Sequence, residues 1–126
     1  VIVNLAVQDK IYEFQDRLKE YPQADVTVRH HFSDGMYARE MFMPAQTCVV
    51  GAKHKTRHFY SVLHGECSVV SVHEREDITG PFLGETLPGT KRVIYAHSDC
   101  TWITFHPTEL TDIDEIEQAL VEPEVV

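Results

Sequence analysis

The sequence predicts a small all-β domain, a barrel or sandwich of short strands, with one helix before it and one after it. Three observations carry this prediction. Short apolar runs recur between residues 26 and 105, each cut off by turn residues such as Asp34-Gly35, Pro88-Gly89 and Ser98-Asp99. Ahead of them, Val7, Ile11, Phe14, Leu18 and Tyr21 recur at steps of four and three, which marks one helical stripe. Behind them, Ile113, Ile116 and Leu120 form a second, shorter stripe.

The elements follow in order. A helix over 7–21 is expected to end at Pro22, which cannot continue it, so that 1–25 form an N-terminal helical segment. The β region, 26–108, begins with an alternating strand over 26–31 and a second over 37–42, joined by the turn at Asp34-Gly35. Further strands are expected over 47–51, 58–63, 67–73, 92–96 and 101–106. Glu74, Arg75, Glu76 and Asp77 read as a solvated turn between strands. In the acidic segment 109–126, Thr111 is positioned to cap a helix over 112–121, with Asp114 and Glu115 in the first turn favourable to the helix dipole.

At 126 residues the chain is expected to form a single domain with room for a sizeable core. The net charge of −9 is unevenly spread: residues 109–126 carry seven acidic side chains and no Lys or Arg, and the rest is nearly balanced. A phosphate backbone needs a basic face, and none is legible, so nucleic acid is excluded as the expected partner. No apolar run approaches a membrane span, and the polar residues after Leu5 argue against a signal peptide. Cys48, Cys67 and Cys100 are an odd count without CxxC spacing, which reads as buried thiols in a reducing, cytoplasmic setting.

The chemistry-bearing stretch is 51–65. His54 and His58 lie four residues apart, so on one strand both rings point to the same face, together with Tyr60. These segments resemble the cupin superfamily, a double-stranded β-helix or jelly roll. With Gly65 as the closing glycine of the first cupin motif, its second histidine falls on His54, its glutamate on His58 and its first histidine on Ala52. In the second motif Pro88-Gly89 matches the turn, and the histidine position falls on Arg92. Tyr37-Ala38-Arg39-Glu40 and Thr101-Trp102 with His106-Pro107-Thr108 are similar to stretches of small cupin-like proteins of bacteria and their phages. The resemblance spans roughly residues 26–118 and implies the fold; cupins host many chemistries, so it implies no one reaction.

Three readings of the site stay open. In the first, His54, His58, Tyr60 and Arg92 line a barrel pocket for a small anionic molecule, with Trp102 as an apolar wall. A guanidinium suits a carboxylate or phosphate and repels a metal ion. In the second, the protein is a metal-dependent enzyme (oxygenase, isomerase or lyase). His54 and His58 then bind Fe, Ni, Zn or Mn, the third ligand comes from His106, Glu40 or Gln46, with His97 ranked below His106, and Tyr60 or Glu40 is the acid or base. In the third, the pocket is vestigial and the domain is a structural module. Lys91 alternates with Arg92 and is expected to face outward, while Arg92 has Glu40 and Glu85 as possible ion partners. Of His30 and His31, adjacent on one strand, only one can face the pocket. The resemblance also implies pairing through sheet edges, and the apolar run 1–5 offers such an edge, so a homodimer is expected.

Overall fold

The computed structural model describes residues 5–123, so most of the 1–5 run, residues 1–4, lies outside the described residues. Leu5 instead opens a helix, α1 (Leu5–Leu18). Nine strands follow: β1 (Thr27–Ser33), β2 (Met36–Met43), β3 (Cys48–Val50), β4 (His58–His64), β5 (Glu66–Ser71), β6 (Arg75–Thr79), β7 (Phe82–Thr86), β8 (Arg92–Ala96) and β9 (Cys100–Pro107). A second helix, α2 (Ile113–Leu120), closes the described chain.

The strands form two antiparallel sheets, one in the order β1-β2-β9-β4-β7 and the other in the order β3-β8-β5-β6. Side chains from their inner faces meet in one core that includes Met41, Met43, Val62, Val69, Ile94 and Trp102. Period-two alternation explains the selection: along β4, His58, Tyr60 and Val62 are buried while Phe59 and Leu63 are exposed. Gly65, between β4 and β5, has φ +95°, and a Cβ there would lie 2.3 Å from Asp99 O. The turn therefore requires glycine on both counts.

Several details depart from the sequence expectation. α1 ends at Leu18, and tighter turn bonds, Glu20 N–H to Arg17 O at 3.1 Å and Tyr21 N–H to Leu18 O at 3.2 Å, carry the chain on to Pro22, with the Gln23 side chain also donating to the Leu18 carbonyl at 3.1 Å. Tyr21, beyond the helix, is exposed, Phe14 is exposed within it, and Ile11 is the stripe residue that is buried. α2 is capped by Asp112, not Thr111: the Asp112 carboxylate accepts from the Glu115 N–H at 3.0 Å. The charged run 74–77 lies largely within the edge strand β6, where Asp77 accepts from the Ser68 hydroxyl and Ile78 turns inward. β7 was not legible, because Phe82-Leu-Gly-Glu-Thr86 is short and holds a glycine. Lys91 is buried, not exposed: α1 covers the outer face from which it leaves, it is 1% exposed, and its ammonium lies 5.0 Å from the Tyr12 ring centroid. No helix among the described residues is long and apolar enough to cross a membrane.

Candidate metal centre and cavity

Three histidines meet at one end of the barrel. His58 opens β4, His106 lies near the end of β9, and His54 stands on the irregular segment between β3 and β4. Their ring centroids are 4.6 Å (His54–His58), 5.0 Å (His54–His106) and 4.5 Å (His58–His106) apart. One ligand nitrogen from each lies within 4.8 Å of the others. Around a shared ion with metal–nitrogen bonds near 2.1 Å, such atoms stand about 3–3.5 Å apart, so a modest closure of the rings makes a three-imidazole site.

The protonation states suit that role. His58 Nδ1 lies 3.0 Å from the Thr56 carbonyl, which only accepts, so Nδ1 carries the proton and Nε2 keeps its lone pair. His106 Nε2 is 2.9 Å from the Thr104 hydroxyl, and its Nδ1 is buried with no partner among the described residues. Burial, then the neighbouring rings and Arg39, hold His106 down to about 3. Burial first, with His58, Arg39 and Arg92 adding to it, lowers His54 to about 4. Burial also lowers His58, against an opposing pull from its bond to Thr56. All three are neutral at pH 7, the form that binds metal. Three neutral imidazoles with a buried unpartnered nitrogen fit a divalent transition metal.

The triad opens on a cavity of about 340 Å³. Met41, Val49, Ile94 and Trp102 give it an apolar floor, and Ile113, Ile116 and Leu120 of α2 give it an apolar roof. Two guanidiniums line it from opposite sheets, Arg39 on β2 and Arg92 on β8. Arg92 Nη1 donates to Thr86 Oγ1 at 2.9 Å, and its guanidinium carbon sits 4.9 Å from the Tyr60 ring centroid and 5.5 Å from that of Trp102. Its Nε is buried without a partner. The Arg39 side chain makes no hydrogen bond or ion pair among the described residues, while its backbone belongs to the β1-β2-β9 ladder. Its field reaches His54, His106 and the Tyr37 hydroxyl.

His54, His58, His106, Arg92 and Trp102 all line this cavity. Tyr60 does not: it stacks on Trp102 at 4.4 Å and lines a separate, smaller cavity of about 180 Å³ with Glu74 and Glu76. Burial raises its phenol. Glu40 lies on the opposite face of β2 from Arg39, with Oε1 3.0 Å from His31 Nε2, and Gln46 is exposed in a turn. Glu85 pairs with Arg57, so neither acid suggested for Arg92 reaches it. His30 is the member of the His30-His31 pair that lines the cavity, its Nδ1 2.6 Å from the Tyr37 hydroxyl. Arg39 and Tyr37 were missed from sequence as cavity residues; the C-terminal helix was expected, but not its place as the cavity roof. Alternation separates Arg39 from Glu40 but does not say which of them faces inward.

This fold, two antiparallel sheets in jelly-roll order with histidines gathered at one end, is the cupin fold. Solved structures agree. A cupin superfamily protein of Desulfitobacterium hafniense superposes with a TM-score of 0.58 at 11% identity, over 69% of this chain and 81% of that one. The ectoine synthase of P. lautus superposes with a TM-score of 0.61 at 15% identity, over 83% and 80%. A variant of the salicylate 1,2-dioxygenase of Pseudoaminobacter salicylatoxidans gives 0.62 at 13% identity, over 93% of this chain and 37% of that one. The sequence itself matches no protein-family model and no curated protein.

Proposed function

We propose that the protein is a metal-dependent enzyme of the cupin fold acting on a small carboxylate. One divalent transition metal, Fe, Ni, Zn or Mn, is held by His54, His58 and His106. The observation that carries this reading is the meeting of three neutral imidazoles, His58 and His106 buried and His54 half-buried, at a cavity that also receives two guanidiniums. Held by these three histidines, a metal ion would supply Lewis-acid chemistry at the cavity end. Arg39 and Arg92, and an ion if bound, would concentrate positive charge in this cavity, which an anion relieves. Arg39 and Arg92 grip the carboxylate. The aliphatic roof and Trp102 cover its apolar body and exclude water. Among the similar structures, one acts on salicylate, itself a small aromatic carboxylate.

The two guanidiniums also support a second reading, a metal-free pocket that holds a small anion. One experiment separates the two: elemental analysis and native mass spectrometry of untagged protein prepared without chelator. About one equivalent of transition metal is expected, lost in the double variant His54→Ala, His58→Ala while the fold is retained. No metal after addition of Fe, Ni, Zn and Mn would leave the anion-binding reading standing. Failure of the double variant to fold would make the histidines structural.

We further propose a homodimer built on the outer face of the five-stranded sheet. Phe59, Leu63 and Leu83 lie on the paired strands β4 and β7, 56%, 48% and 65% exposed, and form an apolar patch beside an edge strand.

A further inference from the structure

The three histidines are anchored in different ways. His58 and His106 belong to β4 and β9, which pair with each other in the five-stranded sheet. His54 lies in no strand. The last sheet-like bond before it is Gly51 N–H to Arg92 O at 3.0 Å, and the chain is irregular from there to His58. Its peptide is held on one side by Gly89 N–H, which donates to His54 O at 2.9 Å. The other side is held by the C-terminal segment. Lys55 N–H donates to Leu120 O at 2.8 Å, and Glu122 N–H donates to Lys53 O at 2.7 Å. Together these bonds make an isolated antiparallel bridge between His54 and Val121. The Lys55 ammonium adds a bond to Gln118 O at 3.1 Å. The same segment roofs the cavity with Ile116, Leu120 and Val121.

We infer that the C-terminal segment, 113–122, is a working part of the metal centre: it positions His54 and closes the cavity roof, so that metal binding and docking of this segment strengthen one another. The inference rests on the metal reading above. The physical reason is preorganisation. A ligand on an unpinned loop must be ordered when the ion arrives, and that ordering is subtracted from affinity. A ligand already pinned by two backbone hydrogen bonds avoids the loss. Coupling of this kind is reciprocal, so the ion must in turn hold the segment down.

The test uses zinc ion as the probe and the full chain. Glu122→Pro removes the N–H that reaches Lys53 O. The preceding residue, Val121, is already extended at φ −106° and ψ 133°, as a residue before proline prefers. Glu122→Ala keeps the N–H and loses only the carboxylate, whose nearest approach to Lys53 Nζ is 3.9 Å. In competition with a chromogenic chelator, Glu122→Pro is expected to bind zinc roughly tenfold more weakly than wild type, the size of effect typical for groups that orient metal ligands. Glu122→Ala is expected to bind as wild type, and both metal-free variants to stay folded, with Glu122→Pro melting slightly lower for the loss of one backbone bond. A second measurement needs no variant: loading wild type with zinc should slow hydrogen exchange at the Lys55 and Glu122 amides. Tight zinc binding by wild type with equal affinity in Glu122→Pro, or with exchange unchanged at those amides, overturns the inference and leaves the metal reading intact. An equal loss in Glu122→Ala overturns the backbone-bridge argument. If wild type binds no metal, both fall.

Discussion

At the residue scale, the depressed histidines give a pH dependence with a defined sign. In the unfolded chain each ring titrates near 6.5, whereas in the folded, metal-free protein His54 titrates near 4 and His106 near 3. Above the unfolded value both states are neutral and pH has no effect through these rings. As pH falls below it, the unfolded chain takes up protons that the folded chain refuses, so stability falls, by about 1.4 kcal/mol per pH unit for each such histidine, until the folded values are reached. Urea midpoints of metal-free protein are therefore expected to be lower at about pH 5.5 than at about pH 7.5. The double variant His54→Ala, His106→Ala should flatten that difference, and an equal slope in the variant would refute the account. His54 and His58 were singled out by their spacing, but the shared strand assumed for them is absent: His58 opens β4, and His54 lies outside the strands; His106 was legible from its place on a late strand. Arg39 was not, because only tertiary structure decides which face of β2 is the inner one.

At the scale of elements, the pairing of β4 with β7 depends on a glycine. Tyr60 and Gly84 are directly opposite, and a Cβ on Gly84 would lie 2.4 Å from Tyr60 Cζ. The Tyr60 ring cannot yield easily, since it stacks on Trp102 with 3° between the planes and is 3% exposed. Gly84→Ala should therefore cost about 1–3 kcal/mol in overpacking, read from chemical denaturation. A variant as stable as wild type would show that the stack can slide. Strand β6 illustrates why such elements are hard to find in sequence. Its charges belong to an edge strand, where charge blunts unwanted pairing, yet the same residues read as a solvated turn. Lys91 was misread for the complementary reason: alternation predicts the face it leaves the sheet from, and α1 then buries that face.

For the whole molecule, the order of elements and the flanking helices were legible because strand runs and helical stripes are local signals. How the ends return to the barrel was not. α2 displays only a short apolar stripe, and nothing in Ile113, Ile116 or Leu120 says that they roof a cavity lined by histidines. The proposed homodimer belongs to this scale. Light scattering is expected to give twice the chain mass, and Leu83→Glu to give the mass of one chain. A wild-type mass of one chain at every concentration would remove the proposal.

The neutral state of the three rings has a calorimetric consequence. Because all of them are already deprotonated at pH 7, a cation entering the site expels no proton from a ligand. Its heat of binding should then be the same in buffers of high and low ionisation enthalpy. Any buffer-dependent heat that does arise would count protons lost by solvent carried in with the ion, so the titration would gauge the acidity that a bound metal confers.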